Sequence, residues 1–155
     1  MAPRAGDGLL RLVLRRGSVF YFQHRHLKSP EPHYLIVLNT VPLTDRCLVL
    51  AVPSSQVDKV RQRRQDQPAV TLVEVSPADY PDFTKPSIID CNSLLELDRQ
   101  TLGRQLDAEP RAQRRDLPAP VLEAVIAGVL ASRLVTGEQK RLVSLATHGP
   151  KKANE

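Results

Sequence analysis

The stretch KPSIIDCN at residues 85–92, followed by LDRQTLG at residues 97–103, decides the architecture that we expect. Its order predicts a buried strand, a polar elbow and a second short strand. Upstream lies another apolar segment, LVLAVPSS at residues 48–55, which ends in a proline and two hydroxyl side chains. Because it shows no alternation of apolar and polar residues, we expect its strand to be buried on both faces.

Other segments extend this pattern along the chain. Strands are predicted at 18–22, 34–38 and 70–75, which are rich in β-branched, aromatic and aliphatic residues. A short helix with a thin apolar stripe is predicted within 55–66, and apolar residues at three- and four-residue spacings predict a helix at 121–135. About five to six strands and one terminal helix predict an α+β fold that is mostly β, a small barrel with the helix packed on it.

Length and composition suit a single globular domain. The chain has 155 residues, of which 41% are hydrophobic and 25% charged. We assign residues 1–8 to a flexible N-terminal tail, 9–137 to the domain and 138–155 to a polar, basic C-terminal tail. No run of about 18 apolar residues is present, so no membrane association is expected. Cys47 and Cys91 could form a disulfide, but cysteines in apolar strands favour reduced core residues, and we expect cytoplasmic localisation.

The charge of the chain indicates its class of partner. The formal net charge is +5 at pH 7. A basic surface favours RNA, DNA or an acidic protein as partner, and a surface that serves only solubility is the alternative. The sequence has no zinc-ligand cluster, so we expect neither a metal nor a cofactor.

Five segments together resemble the MazF/PemK-like toxin family, over roughly residues 17 to 135. They are GSV at 17–19, YLIVLN at 34–39, PSS at 53–55, KPSII at 85–89 and LDRQTLG at 97–103. The resemblance implies a small SH3-like barrel with a C-terminal helix, which forms a homodimer. It also implies a metal-independent endoribonuclease that cleaves single-stranded RNA and is inhibited by an antitoxin with an acidic tail. The chain would then be the toxin component of a toxin–antitoxin pair.

The same resemblance implies a substituted active site. The arginine–proline pair that opens the family's second strand falls here at Pro32 and His33, and arginine is absent from that position. A second basic position of the family falls within residues 92–95, which also hold no arginine. Other residues must therefore supply the chemistry.

Cleavage of this kind needs a base for the 2′-hydroxyl, a cation or donors for the charged phosphorane, and an acid for the leaving oxygen. Histidine serves as acid or base near neutral pH, so we expect this role for His33. Arg25 or Lys28, in the first loop, is the expected cation. Ser54 is the expected hydroxyl donor to the phosphate.

Further RNA contacts are expected around this centre. They are predicted for His24, His26 and Lys28 in the first loop, Ser55 beside the catalytic serine, and Arg61, Arg63 and Arg64 on the short helix. For the histidines, the alternative is an ordinary loop or strand-edge position. For the three arginines, the alternative is a solvated helix face with Asp58 and Asp66 as counter-charges.

Asp90 and Cys91 form a further candidate pair, since an acid beside a thiol resembles a nucleophile setting. No histidine stands near them in the sequence. A hydrogen-bonded aspartate beside a buried cysteine is the favoured interpretation.

Two other function classes stay open beside the nuclease. One is a toxin-fold protein that binds nucleic acid or an acidic antitoxin-like partner without catalysis, which the missing arginines favour. The other is a small-barrel interaction module with no toxin role.

Overall fold

A computed structural model describes residues 8–23 and 31–144. Within them the strands are β1 (Val19–Phe22), β2 (His33–Val37), β3 (Leu48–Ala51), β4 (Leu72–Val75), β5 (Ser87–Asp90), β6 (Leu95–Leu97) and β7 (Gln113–Arg114). The helices are α1 (Gly8–Val13), α2 (Val57–Arg63), α3 (Arg99–Ala108), α4 (Ala119–Ala131) and α5 (Gly137–Val143). Short 3-10 turns cover Ala69–Thr71 and Pro110–Ala112.

The strands form two antiparallel sheets. The larger sheet has five strands in the order β6-β3-β2-β1-β7, and β4 pairs with β5 in a second, two-stranded sheet. A bridge between Ser54 and Ile88 connects the end of β3 to the small sheet. The predicted α+β class is confirmed, but the described residues form seven strands and five helices and not five to six strands with one terminal helix, so the fold is not mostly β. The closed SH3-like barrel is not confirmed, because β6 and β7 are opposite edges of the large sheet and the sheet stays open.

Both faces of the large sheet are covered, which explains the unbroken apolar runs in its strands. On one face Phe20, Leu35 and Leu50 pack with Leu10 of α1 and Leu102 of α3. The other face packs against the small sheet, α4 and α5, through a cluster that includes Val19, Ile36, Val49, Ile89, Val125, Val129 and Val143. All four residues of β3 are buried, as predicted from the absence of alternation.

Segment 97–103 departs from the prediction of a second strand. The strand β6 ends at Leu97, and α3 begins directly after it. Asp98 is the N-cap, and its carboxylate accepts a hydrogen bond from the backbone N–H of Thr101. The side chains of Leu102 and Leu106 are buried against the sheet. An N-cap residue followed by two apolar residues at a spacing of four indicates a helix, and the prediction of a strand did not take this pattern into account.

Helices lie near both ends of the described chain. Helix α1 covers Gly8–Val13, and α5 covers Gly137–Val143, across the boundary drawn between the domain and the C-terminal tail. Thr136 and Gln139 form a capping box at the start of α5. Arg16 holds the other end of α5, because its guanidinium donates to the carbonyl oxygen of Val143 at 2.5 Å. Residues 1–7 and 145–155 of the two assigned tails lie outside the described residues.

Helix α4 confirms the helix predicted at 121–135, although it ends at Ala131 and is followed by α5, so it is not the terminal helix. Ser132 follows with an extended backbone and is buried. Its hydroxyl donates to the side-chain oxygen of Asn92 at 2.6 Å and accepts from the backbone N–H of Leu134. This contact turns the chain out of the helix. No helix of the described residues is long and apolar enough to cross a membrane.

Candidate functional site

An open cavity of about 570 Å³ lies at the end of the large sheet, where β1 leaves it. Three parts of the chain form its walls. The first is the end of β1 with the residue after it (Tyr21, Phe22 and Gln23), together with Pro32 just before β2. The other two are α3 with its C-cap (Gln105 and Glu109) and the segment that follows (Arg111, Ala112 and Arg114). Strand β7 pairs only with Val19 and Phe20, so within residues 8–23 and 31–144 no strand lies beside the edge of β1 beyond them, and the cavity is found there. Its volume falls in the range of small-molecule sites.

Tyr21 and Arg114 form a cation–π pair in the wall of this cavity. The guanidinium carbon of Arg114 lies 5.3 Å from the ring centroid of Tyr21. The Nε atom of Arg114 is buried and has no hydrogen-bond partner among the described residues. Behind the pair, Tyr21 packs on Tyr34 with 4.4 Å between ring centroids, and burial raises the pKa of Tyr34. The ring contacts therefore hold Arg114 in place without neutralising its charge.

Arg111 and Glu109 are the other charged residues of the wall, and both are exposed. Among the described ion pairs, none involves Arg111, Arg114 or Glu109. Phe22 and Ala112 are buried and form an apolar floor. The cavity thus combines an apolar floor and an aromatic ring with two arginines, which suits an anionic ligand that also has a flat apolar part.

His33, the first residue of β2, is not part of the cavity wall but lies close to it. It stands opposite Phe22 in the β1–β2 pair, and directly paired residues point to the same face of an antiparallel sheet. The residue before it, Pro32, is itself part of the wall. His33 is half-buried, and its Nε2 atom is buried without a hydrogen-bond partner among the described residues. The predicted acid–base residue and the cavity therefore meet at one end of the sheet.

Ser54 lies at the same end of the sheet but outside the cavity wall. The β2–β3 pairs Ile36–Ala51 and Val37–Leu50 place the start of β2 beside the end of β3. Ser54 does not continue the pairing with β2, since its backbone pairs with Ile88 of the small sheet. Its hydroxyl oxygen accepts a hydrogen bond from the backbone N–H of Gln56 at 3.1 Å. Ser55 is exposed beside it.

Four of the predicted site residues, His24, Arg25, His26 and Lys28, lie outside the described residues. The described chain stops at Gln23 and resumes at Glu31. Gln23 and Pro32 both belong to the cavity wall, so the chain leaves and returns to the sheet at this cavity.

The three arginines of the α2 segment all have acidic partners. Arg61 forms an ion pair with Glu74 across exposed surface. Arg64 donates from Nε to Asp90 at 2.9 Å, and the side chains of this pair are only 19% and 9% exposed. Arg63 is 3.6 Å from the same carboxylate. None of these arginines is part of the cavity wall. Arg64 is largely buried and is held by its ion pair with Asp90.

Asp90 and Cys91 belong to a structural network. The Asp90 carboxylate accepts from the backbone and the side chain of Asn92, and Asn92 in turn donates to Thr71. The Cys91 thiol is fully buried beneath Gly128 of α4. Burial raises the pKa of Cys91 to about 12, which keeps the thiol neutral and unreactive. The favoured interpretation of a hydrogen-bonded aspartate beside a buried cysteine is confirmed.

Sequence reasoning missed Tyr21, Glu109, Arg111 and Arg114 as site residues. Tyr21 is predicted only as part of the strand at 18–22, and no element or role is predicted for residues 107–120, which contain three prolines. The sequence does contain a signal for an anion-binding segment, because three arginines, at 111, 114 and 115, lie close together between Pro110 and Pro118. What the sequence lacks is the register that carries Arg114 next to Val19 in the sheet.

Among the described residues, no group of three or more histidine, cysteine, aspartate or glutamate side chains could hold a metal ion. Both cysteines are free thiols. No protein-family model matches this chain, and no curated protein is significantly similar to it.

Proposed function

We propose that this chain is the toxin component of a toxin–antitoxin pair, of the MazF/PemK-like type, and that it acts on single-stranded RNA in the cytoplasm. The observation that carries the proposal is the cavity at the end of β1, which combines two arginines and an aromatic ring. Such surfaces bind single strands because cations attract the phosphate backbone and rings stack on bases. We assign the acid–base role to His33, which pairs with Phe22 of the cavity wall and follows Pro32 of the same wall.

The proposed reaction is metal-independent cleavage by the 2′-hydroxyl of the RNA. His33 either takes the proton of the 2′-hydroxyl, whose oxygen attacks the adjacent phosphorus, or gives a proton to the 5′-oxygen that leaves, and solvent water completes the other proton transfer. A new 2′-oxygen–phosphorus bond forms as the 5′-oxygen–phosphorus bond breaks, which leaves a 2′,3′-cyclic phosphate and a 5′-hydroxyl. Arginine and hydroxyl donors stabilise the charged phosphorane, and Ser54 has its hydroxyl proton available for this because its oxygen only accepts from Gln56.

The experiment is incubation of the purified protein with end-labelled single-stranded RNA, with and without EDTA, followed by a sequencing gel. We expect discrete cuts that survive EDTA and end in a cyclic phosphate. His33→Gln, which keeps a polar side chain but cannot act as acid or base at neutral pH, should slow cleavage about 100- to 10,000-fold.

Ser54→Ala tests the second residue, and Ser93→Ala is its matched control. Ser93 is exposed and lies away from the cavity wall, so its variant should cut at the parental rate. If the His33 and Ser54 variants both cleaved like the parent, the assigned catalytic residues would be wrong. Absence of any cut from folded protein would count against the nuclease itself.

A second candidate function is RNA binding without cleavage, and one observation favours it. The Nε2 atom of His33 is buried in the described structure, whereas a catalytic nitrogen must reach the substrate. In this case RNA would bind at the cavity with strong salt dependence and no product would form.

The proposed partners, besides RNA, are an acidic antitoxin and a second copy of the chain. The outer face of α4 supports self-association, since most of the residues that it exposes are apolar. Leu130 is 41% exposed and Leu134, just after the helix, is 50% exposed. The other exposed positions of α4 are alanines and Pro120, with Glu123 as the charged residue of the helix, and Arg133 is exposed just before Leu134. Small apolar residues on an exposed helix allow close approach of a second apolar surface.

A further inference from the structure

We infer that the cavity at the end of β1 is a subsite for one nucleotide of single-stranded RNA, whose base stacks on the Tyr21–Arg114 pair and whose phosphate binds Arg111. This inference rests on the proposed action on RNA and deepens it, because it places one nucleotide on residues outside the predicted catalytic set. No described ion pair competes for the two arginines.

The base position follows from the Tyr21–Arg114 geometry. Guanidinium planes and aromatic rings are the surfaces on which proteins stack unpaired bases. Arg114 is held by Tyr21 on one side and by its strand pairing with Val19 at the backbone, so the stacking surface exists before the ligand arrives. Tyr34 supports Tyr21 from behind at 4.4 Å between centroids. A preformed platform lowers the entropic cost of ordering the base.

The phosphate position follows from Arg111. It is the exposed arginine of the wall, so it reaches solvent on the side from which a flexible strand would approach. Glu109, two residues earlier, repels a phosphate from the neighbouring part of the wall. The edge of the base is therefore expected to lie against that part. Together with Gln105 and Gln23 it offers hydrogen-bonding groups to a base. The volume of about 570 Å³ is sufficient for a single nucleotide.

The test uses fluorescence anisotropy with a labelled ten-nucleotide RNA whose 2′-oxygens carry methyl groups, so that the 2′-oxygen cannot attack. Binding is measured as a function of salt concentration for the parent protein and four variants. Tyr21→Leu removes the ring, and Arg114→Lys keeps the charge but removes the plane. Arg111→Gln removes the charge expected to bind phosphate. Arg104→Gln is the matched control, because Arg104 is an exposed arginine on α3 outside the cavity wall.

The variants should fail in different ways. Loss of one stacked base should weaken binding by about 5- to 150-fold for Tyr21→Leu and Arg114→Lys, with the salt dependence unchanged. Arg111→Gln should reduce the slope of log affinity against log salt by about 0.7, the contribution of one phosphate on a single strand. Arg104→Gln should match the parent. Thermal unfolding of each variant checks that the domain is folded.

Several results would overturn the subsite. If the parent cuts or binds RNA while Tyr21→Leu and Arg111→Gln bind like the parent, the subsite is wrong and the proposed action on RNA stands. If Arg114→Lys and folded Tyr21→Leu both bind normally while Arg111→Gln is weakened, the cavity is only an anion site. If the folded parent neither binds nor cuts RNA, the proposed function fails, and the subsite fails with it.

Discussion

Arginine side chains on α2 differ in how they are bound, although they lie within four residues of one another. The Arg64–Asp90 pair is nearly buried, and the same carboxylate accepts two further hydrogen bonds from Asn92. The Arg61–Glu74 pair is about half exposed on both sides, at 53% and 52%. Burial removes the water that would replace a lost partner, so the two pairs have different energetic consequences.

We predict that Arg64→Ala lowers the free energy of unfolding by about 3 kcal/mol, because it leaves the buried Asp90 carboxylate with only the more distant and more exposed Arg63 as a cation. Arg61→Ala, on the exposed face of the same segment, should change it by less than about 1 kcal/mol. Urea denaturation of both variants measures the difference. Equal losses would show that the Asp90 network does not depend on Arg64.

Packing between α4 and the small sheet depends on a glycine. A Cβ atom at Gly128 would lie 2.7 Å from the Cys91 sulfur and 2.7 Å from the carbonyl oxygen of Val70. The absence of a side chain therefore lets the helix approach the strand and the 3-10 turn beneath it. Gly137, at the start of α5, has nothing within 4 Å of the corresponding position.

Gly128→Ala should therefore lower the free energy of unfolding by about 1–3 kcal/mol, since one of its close contacts is backbone that cannot rotate away. Gly137→Ala is the matched control, and it should leave stability unchanged or raise it by up to about 1 kcal/mol through the unfolded state. Thermal or urea unfolding compares the two variants. A stable Gly128→Ala protein would mean that α4 can move off the strand without cost.

At the scale of the whole molecule, the large sheet is covered by α1 and α3 on one face and by the small sheet, α4 and α5 on the other. This arrangement buries the faces of the sheet and leaves the outer face of α4 as an apolar surface that the described residues do not cover. The cavity lies at the open β1 edge of the sheet. The proposed dimer and the proposed RNA site thus depend on different surfaces.

We predict that the protein runs in size-exclusion chromatography with light scattering at about twice the chain mass of 17.3 kDa. Leu134→Glu, on the proposed dimer surface, should shift it to the monomer mass, because a charge would lose water on association. Leu12→Glu is the control, since Leu12 on α1 is 79% exposed and lies on another surface. A parent protein that is monomeric at high concentration would contradict the self-association.

Sequence patterns sufficed for the elements whose signals are local. The buried strands β3 and β5, the short helix α2 and the helix α4 follow from apolar content and spacing. The α3 helix was missed, although Asp98 and the spacing of Leu102 and Leu106 could have indicated it. The sequence predicts a closed barrel, whereas the large sheet of the structure is open. Closure depends on whether the two edge strands pair, and such pairing joins residues that are far apart in the chain.

The amino-acid sequence by itself determined the α+β class, the doubly buried strands and the reduced, buried state of the cysteines, since each depends on side-chain chemistry over a few residues. Only the tertiary structure decided the site. Strand register places Arg114 over Tyr21, across more than ninety residues of chain, and the early end of β7 opens the cavity beside them. The same long-range folding pairs Arg64 with Asp90. Such pairings join residues that are far apart in the chain, so no local pattern records them.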